Sequence, residues 1–344
     1  MTDGRLAAVL AGCTPFAIPL ATTFRGIAHR EGMLLTGPSG TGEFAPFLEY
    51  DDATAARWLA SAIEAAWGQW PAAVRSEIPV NAIIPALNPV QAATMTTRAF
   101  IDSGSTTVKV KVAEAGQTLD DDLARVAAVR SAQRAAGIAD ARIRIDVNGG
   151  WNLAQAVTAI AELDNVAGGL EYVEQPCATL TELAALRKKV STPIAADESI
   201  RTAEDPMRAV ASGAADIIVV KVPPLGGVNR ALEICEQAAV PVVVSGAMDS
   251  SVGLASGLAL ASALRELPYA CGLGTGALLA ADVVATPVVA REGRLSVRRI
   301  EPDPAALAEA AVRMGSAQAA WWRKRLERAW NAGANDLVGS LVTA

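Results

Sequence analysis

Eight short apolar runs, interleaved with alanine-rich helical segments, fill the chain from about Val80 onward and constrain its fold more than any other feature. The runs are PVNAIIPA, TTVKVKV, RIRIDVN, LEYVEQP, PIAADES, DIIVVKVP, VPVVVSG and PYACGLG. Between them lie segments such as DDLARVAAVRSAQRAAG and NLAQAVTAIAELD, with apolar residues at helical spacing and Gly near their C-terminal ends. This alternation predicts an α/β fold, a (β/α)8-type barrel over residues 80–299. An open doubly wound sheet is the competing arrangement, but its GxGxxG fingerprint is absent here.

Residues 1–79 read differently. PFAIPLATTF, GMLLTG and GEFAPF suggest two or three strands, and DATAARWLASAIEAAW, opened by Asp51 and Asp52, suggests a helix. The expectation is an N-terminal α+β capping domain. The segment from about 300 to 344 is expected to pack back against the body through one helix from about Pro304 to Trp330. Its Trp321, Trp322 and Trp330 suit core or interface anchors better than a platform for bases.

Several runs end in charge. Lys109 and Lys111, Asp146, Glu174, Asp197 and Lys221 follow one another, from Lys111 on, at gaps of 35, 28, 23 and 24 residues, about one strand–helix unit each. A closed parallel barrel delivers every strand's C-terminal end to one face, so all of them would meet at one mouth. Strand alternation puts Lys109 and Lys111 opposite Val108, Val110 and Val112, and puts Arg144, Asp146 and Asn148 opposite Ile143, Ile145 and Val147. The apolar set covers the outside of the barrel, so the polar set points inward. Burying two lysines this close is costly unless carboxylates face them. Each station alone reads as an ordinary strand-end salt bridge; the ordered set reads as a catalytic mouth. Three carboxylates with no His or Cys nearby suit a hard cation, Mg²⁺ before Mn²⁺, and argue against zinc. A lysine beside a second lysine is expected to give up its proton more easily.

The bulk composition narrows the partners. Hydrophobic residues make up 51% and charged residues 19%, which implies a large core and no disordered tract. A net charge of −6 without a lysine–arginine cluster argues against nucleic acid, and WWRKRLER reads as an exposed helix face. Cys13, Cys177, Cys235 and Cys271 contain no CxxC pair and look like buried thiols of a reducing compartment. LAAVLAGCTPFAIPLA resembles a secretory apolar region, but Asp3, Pro15 and Pro19 weaken it, and no stretch reaches the length of a membrane span. These features predict a cytoplasmic enzyme acting on a small molecule, with neither nucleic acid nor membrane as partner. Oligomeric state is left open.

The motifs KVKV, DVNGGW, VEQP, ADES and KVPPLGG resemble the barrel motifs of the enolase superfamily, which pairs a Lys or His base with Mg²⁺. KxK on the second strand and a lysine on the sixth resemble its muconate-lactonizing-enzyme subgroup. The mandelate-racemase-like branch needs a late histidine, and the only histidine here is His29. GEFAPFLEYDDATA, SGAMDSSVG and GLGTGALLAADV further resemble the o-succinylbenzoate synthase family of menaquinone biosynthesis. The resemblance covers nearly the whole chain and implies a modified TIM barrel with a cap. It implies abstraction of a proton α to a carboxylate, with Asp146, Glu174 and Asp197 as Mg²⁺ ligands and Lys111 as base and proton donor to the departing hydroxyl. Lys109 would help to stabilise the carboxylate and tune Lys111, and Lys221 would face the ring as a cation. The substrate is then a small-molecule carboxylate, with Arg144, Asn148, Ser245, Gly272 and Gly274 as contacts. Thr22, Thr23, Phe24 and Arg25 would begin a substrate-covering loop, or a plain β-turn. An N-succinylamino acid racemase or dipeptide epimerase is the rival reading, although the Asp-x-Asp that epimerases carry on the eighth strand is missing. A non-catalytic barrel that only binds is a more distant one.

Overall fold

The computed structural model describes residues 4–24, 26–201 and 206–342. Arg25 lies outside them, as do the side chains of Thr22, Thr23 and Phe24, so the expected covering loop falls outside the described residues. A short helix, α1 (Gly4–Ala11), precedes an antiparallel sheet of β1 (Cys13–Phe24), β2 (Ile27–Gly37) and β3 (Gly40–Phe44). α1 occupies the first half of the apparent secretory region and buries Leu6 and Val9. The helix α2 (Asp52–Trp67) then lies across the sheet. Its N-terminus is capped by the Asp51 side chain, which accepts a hydrogen bond from the Thr54 amide at 2.8 Å.

β4 (Glu77–Pro79) pairs with β12 (Arg294–Ser296) outside the barrel. The parallel sheet runs in unbroken sequence order through β5 (Ala82–Ile84), β6 (Thr107–Lys111), β7 (Arg142–Asp146), β8 (Val173–Glu174), β9 (Ile194–Ala196), β10 (Ile217–Val220) and β11 (Val242–Val244). The eighth run, PYACGLG, is not a full strand. It closes the ring through two parallel bridges, Ser245 with Gly272 and Val80 with Cys271. The structure is therefore a modified barrel under an N-terminal cap. Among the described residues no helix is long and apolar enough to cross a membrane.

The single C-terminal helix expected from Pro304 to Trp330 is two, Pro304–Met314 and Ser316–Ala329. Gly315 separates them at φ 75°, a conformation that a side chain would strain. Both helices lie against the cap. Arg313 donates to the Ala17 carbonyl, the Trp322 indole to Glu31, and Arg325 to the carbonyls of Phe47 and Tyr50. Trp322 and Trp330 are buried in the cap's core, whereas Trp321 is partly exposed. All four cysteines are free, three of them buried.

Two glutamates tie the cap to the barrel. Glu64 of α2 accepts from the amides of Val228 and Asn229 at 2.5 and 3.1 Å, at the start of the helix Val228–Gln237. Glu43 of β3 accepts from the Ser250 amide and hydroxyl at 3.0 and 2.5 Å, at the start of the helix Ser251–Ala263. Both use a carboxylate to satisfy amides that no helical carbonyl reaches.

Candidate functional site

Strand register brings the charged stations level. Lys111 stands beside Asp146 on the neighbouring strand, and Asp146 beside Glu174. Asp197 and Lys221 follow directly on the ends of β9 and β10. Across the mouth the order is thus lysine, aspartate, glutamate, aspartate, lysine. Their cavity, about 590 Å³ including its opening to solvent, is lined on this side by Lys109, Lys111, Asp146, Asn148, Asp197 and Lys221. Glu174 is fully buried behind Lys109 and does not itself line the cavity.

The charges are closely paired. Lys109 Nζ donates to both Glu174 oxygens at 2.7 and 2.8 Å and stands 3.3 Å from Asp146 Oδ2. Lys111 Nζ donates to Asp146 Oδ2 and to Asn148 Oδ1, both at 2.5 Å. Lys221 Nζ donates to both Asp197 oxygens at 2.5 Å. Burial alone would pull Lys109 down, but the carboxylates of Glu174 and Asp146 outweigh it and hold the ammonium well above its ordinary range. The expectation that a neighbouring lysine weakens the hold on the proton therefore fails for Lys109, whose Nζ has carboxylate oxygens at 2.7, 2.8 and 3.3 Å. Burial likewise opposes the charge on Asp146, yet Lys111 and Lys109 keep its carboxyl well below the ordinary range. Glu174 is pushed up to about 7, first by burial and then by the charge of Asp146. The charge of Asp197 adds to the same rise.

That donor set, all oxygen and net acidic, fits a hard divalent cation. Among the described residues no three carboxylate, thiolate or imidazole groups already enclose a common point. Each carboxylate is turned onto an ammonium instead.

The other expected contacts divide. Asn148 is at the mouth, its amide nitrogen donating to Glu198 at 3.1 Å. Ser245 and Gly272 line the cavity. Gly274 does not: a Cβ there would stand 2.6 Å from the Asn81 carbonyl, so this glycine serves close backbone packing. Arg144 does not line the cavity either. It is fully buried within the barrel, bonded to Glu171, to Asn81 Oδ1 at 3.1 Å and to the Ala270 carbonyl at 2.7 Å, with its guanidinium over the Tyr172 ring. Inward-facing residues low on a strand fill the barrel, and only the last ones reach the mouth.

Sequence reasoning missed three parts of the site. Gln175 sits at φ 40° and accepts from the Asp197 amide at 2.9 Å, fixing the segment that carries Asp197. Its signal lay in VEQP, directly after Glu174. Thr275 lines the cavity with a buried hydroxyl that has no partner among the described residues; GLGTG had drawn notice for its glycines only. The rest of the lining includes Phe47 and Trp58 from the cap with Ala247 and Met248 from the barrel; three of these lie in GEFAPFLEYDDATA and SGAMDSSVG, which had served only the family resemblance. Strain clusters on this same face. Ala113, Asn148, Gln175 and Met248, each just past a strand end, adopt positive φ without being glycine.

Residues 92–304 match the family described as Enolase C-terminal domain-like, and residues 16–66 match Enolase N-terminal domain-like. The o-succinylbenzoate synthase of Thermobifida fusca (strain YX) is 54% identical over 89% of this chain and 96% of its own. That of Mycolicibacterium smegmatis is 51% identical over 90% and 92%. The chain belongs to the o-succinylbenzoate synthase family of the enolase superfamily. Among solved structures, muconate lactonizing enzyme from Pseudomonas putida aligns with a TM-score of 0.72 at 21% identity, covering 87% of this chain and 98% of that one. The L-Ala-D/L-Glu epimerase from Bacillus subtilis aligns equally well, at 22% identity over 84% and 96%. At such identities these two establish the shared fold of this family member.

Proposed function

We propose that this chain dehydrates 2-succinyl-6-hydroxy-2,4-cyclohexadiene-1-carboxylate to 2-succinylbenzoate in menaquinone biosynthesis, acting as a hydro-lyase. The observation that carries the reading is the order across the mouth, with lysines on both flanks of three carboxylates. Asp146, Glu174 and Asp197 would hold Mg²⁺, with Mn²⁺ as a substitute. Bound there, the ion supplies positive charge against the carboxylate of the substrate as its α-carbon loses a proton. Lys111, at the cavity edge, takes that proton and returns it to the departing hydroxyl on the same face, which leaves as water. One proton moves twice, the ring becomes aromatic, and no oxidant is needed. Lys109 remains an ammonium that holds Glu174 and Asp146 in place. Lys221, from the opposite flank, faces the electron-rich ring. Asn148 orients Lys111, and Ser245, Gly272 and Thr275 receive the succinyl end.

We take residues 1–79 with 300–344 as the cap and 80–299 as the catalytic barrel. The unpaired thiols suit a reducing, cytoplasmic compartment.

The test is loss of the precursor's absorbance on addition of Mg²⁺ to enzyme stripped of metal. No change in absorbance would rule out the dehydration. Racemisation of an N-succinylamino acid needs the same two lysines. Incubation in deuterated water separates the readings, because only a racemase exchanges an amino acid's α-proton at a steady rate.

A further inference from the structure

Arg30 lies on β2 of the cap and is 2% exposed. It forms part of no motif, yet it touches both halves of the cavity wall. Its Nε donates to the Met248 carbonyl at 3.2 Å, and a terminal nitrogen donates to the Ala45 carbonyl. Its guanidinium lies 4.7 Å from the Phe47 ring centre and 5.9 Å from that of Trp58. Phe47, Trp58 and Met248 all line the cavity that also holds the lysines.

The loop it holds is under strain. Met248 adopts φ 62°, a conformation unfavourable to a residue with a side chain, so something outside the loop must maintain it. Two carboxylates help. Asp249 accepts from the Ala247 amide at 2.8 Å, and Glu43 accepts from the Ser250 amide at 3.0 Å. Both also supply the counter-charge for Arg30. Glu43 reaches that position because residue 253 is glycine, where a Cβ would stand 2.6 Å from its Oε2.

We propose that Arg30 is a positioning residue for substrate binding, holding Phe47 and Trp58 of the cap and Met248 of the barrel as one wall that presses the ring against the lysine side. The inference rests on the dehydration reading above for the identity of that ring. Arg30 itself reaches neither substrate nor metal. It acts through the two aromatic faces and one carbonyl. A lysine cannot replace it, since a single ammonium cannot sit beside both rings while donating to two carbonyls in fixed directions.

The test compares wild type with Arg30→Lys and Arg30→Met in three measurements. These are KM and kcat for 2-succinyl-6-hydroxy-2,4-cyclohexadiene-1-carboxylate, hydrogen exchange at the Ala247 and Ser250 amides, and Mg²⁺ affinity by titration calorimetry. The expected result for Arg30→Lys is a KM raised about tenfold, a kcat lowered by less than about threefold, faster exchange at both amides and unchanged Mg²⁺ affinity. Arg30→Met should raise KM further if it folds. An unchanged KM in Arg30→Lys, with only thermal stability lowered, would overturn the proposal. Unchanged exchange at Ala247 and Ser250 would overturn it as well. The exchange measurement needs no substrate, so a failure of the dehydration reading appears separately, as a wild type that does not consume the precursor.

Discussion

Around one cavity, the strand ends from β6 to β10 supply lysine, aspartate, glutamate, aspartate and lysine at one position per strand. Another part of the lining is Phe47 and Trp58 from the cap and Met248 from a barrel loop, with Arg30 holding them from behind, residues up to 218 positions apart in the chain. The first side is held by charge against charge between neighbouring strands, where register does the positioning. The second is held by hydrogen bonds to backbone carbonyls and by a guanidinium set between two rings. Changes on the charged side should therefore act on the chemical step and on metal binding. Changes on the wall should act on substrate affinity, which gives several ways to break the division.

The largest effect is expected at Lys111. Replacing it by alanine should lower kcat about a thousandfold, the usual scale for losing a positioned proton carrier, while a urea midpoint stays close to wild type. Turnover like that of wild type would remove Lys111 from its role. Next comes Lys109→Met, which leaves Glu174 and Asp146 facing each other in a buried site. A loss of about 3–5 kcal/mol in unfolding free energy is expected without metal. Saturating Mg²⁺ should recover part of it, because the cation restores the missing positive charge. A loss that Mg²⁺ does not touch would mean that the ion binds elsewhere.

The same division explains what could be read in the residues. Barrel strands alternate inward and outward with period two, and each helix returns the chain to the next strand, so KVK, IDVN, VEQP, ADES and VVKVP carry both their faces and their level in one dimension. The two-sided wall has no such code. Arg30 follows His29 in a strand whose exposed and buried positions do not alternate cleanly, and nothing nearby marks its contact with Met248. The eighth strand misled in a milder way. PYACGLG has the composition of a strand, yet it makes only single bridges, because glycines 272 and 274 pack their backbones directly against Ser245 and Asn81. Arg144 misled because alternation gives the direction of a side chain but not its depth.

Arg144 gives the next test, since it shares a strand face with Asp146 but belongs to the barrel's filling. Arg144→Lys gives up the directed bonds to Asn81 and Ala270. It should cost about 1–3 kcal/mol of stability, the scale for buried polar groups left without partners, and leave KM unchanged. A raised KM at unchanged stability would put the residue back among the substrate contacts.

The smallest effect tests the wall through its ionisation. Burial first, and the neighbouring charge of Asp249 next, push the Glu43 carboxyl up from its ordinary 4.5 to about 7, against the opposing pull of Arg30 and the Ser250 hydrogen bonds. A carboxyl whose folded value lies above its unfolded one favours the folded state when protonated. That contribution is fully present below about 4.5, fades as pH rises through about 7, and is absent above it. Glutamine carries no charge at any pH and relieves Asp249 of a like neighbour. The stability of Glu43→Gln relative to wild type should therefore rise between pH 5 and pH 8, by about 1–3 kcal/mol, the size that a shift of one or two pH units implies. Urea midpoints at the two pH values measure it, and taking the difference between variant and wild type cancels the groups that both share. A difference independent of pH would mean that Arg30 and Ser250 fully compensate the buried charge, making the wall an ion-pair structure like the mouth it faces.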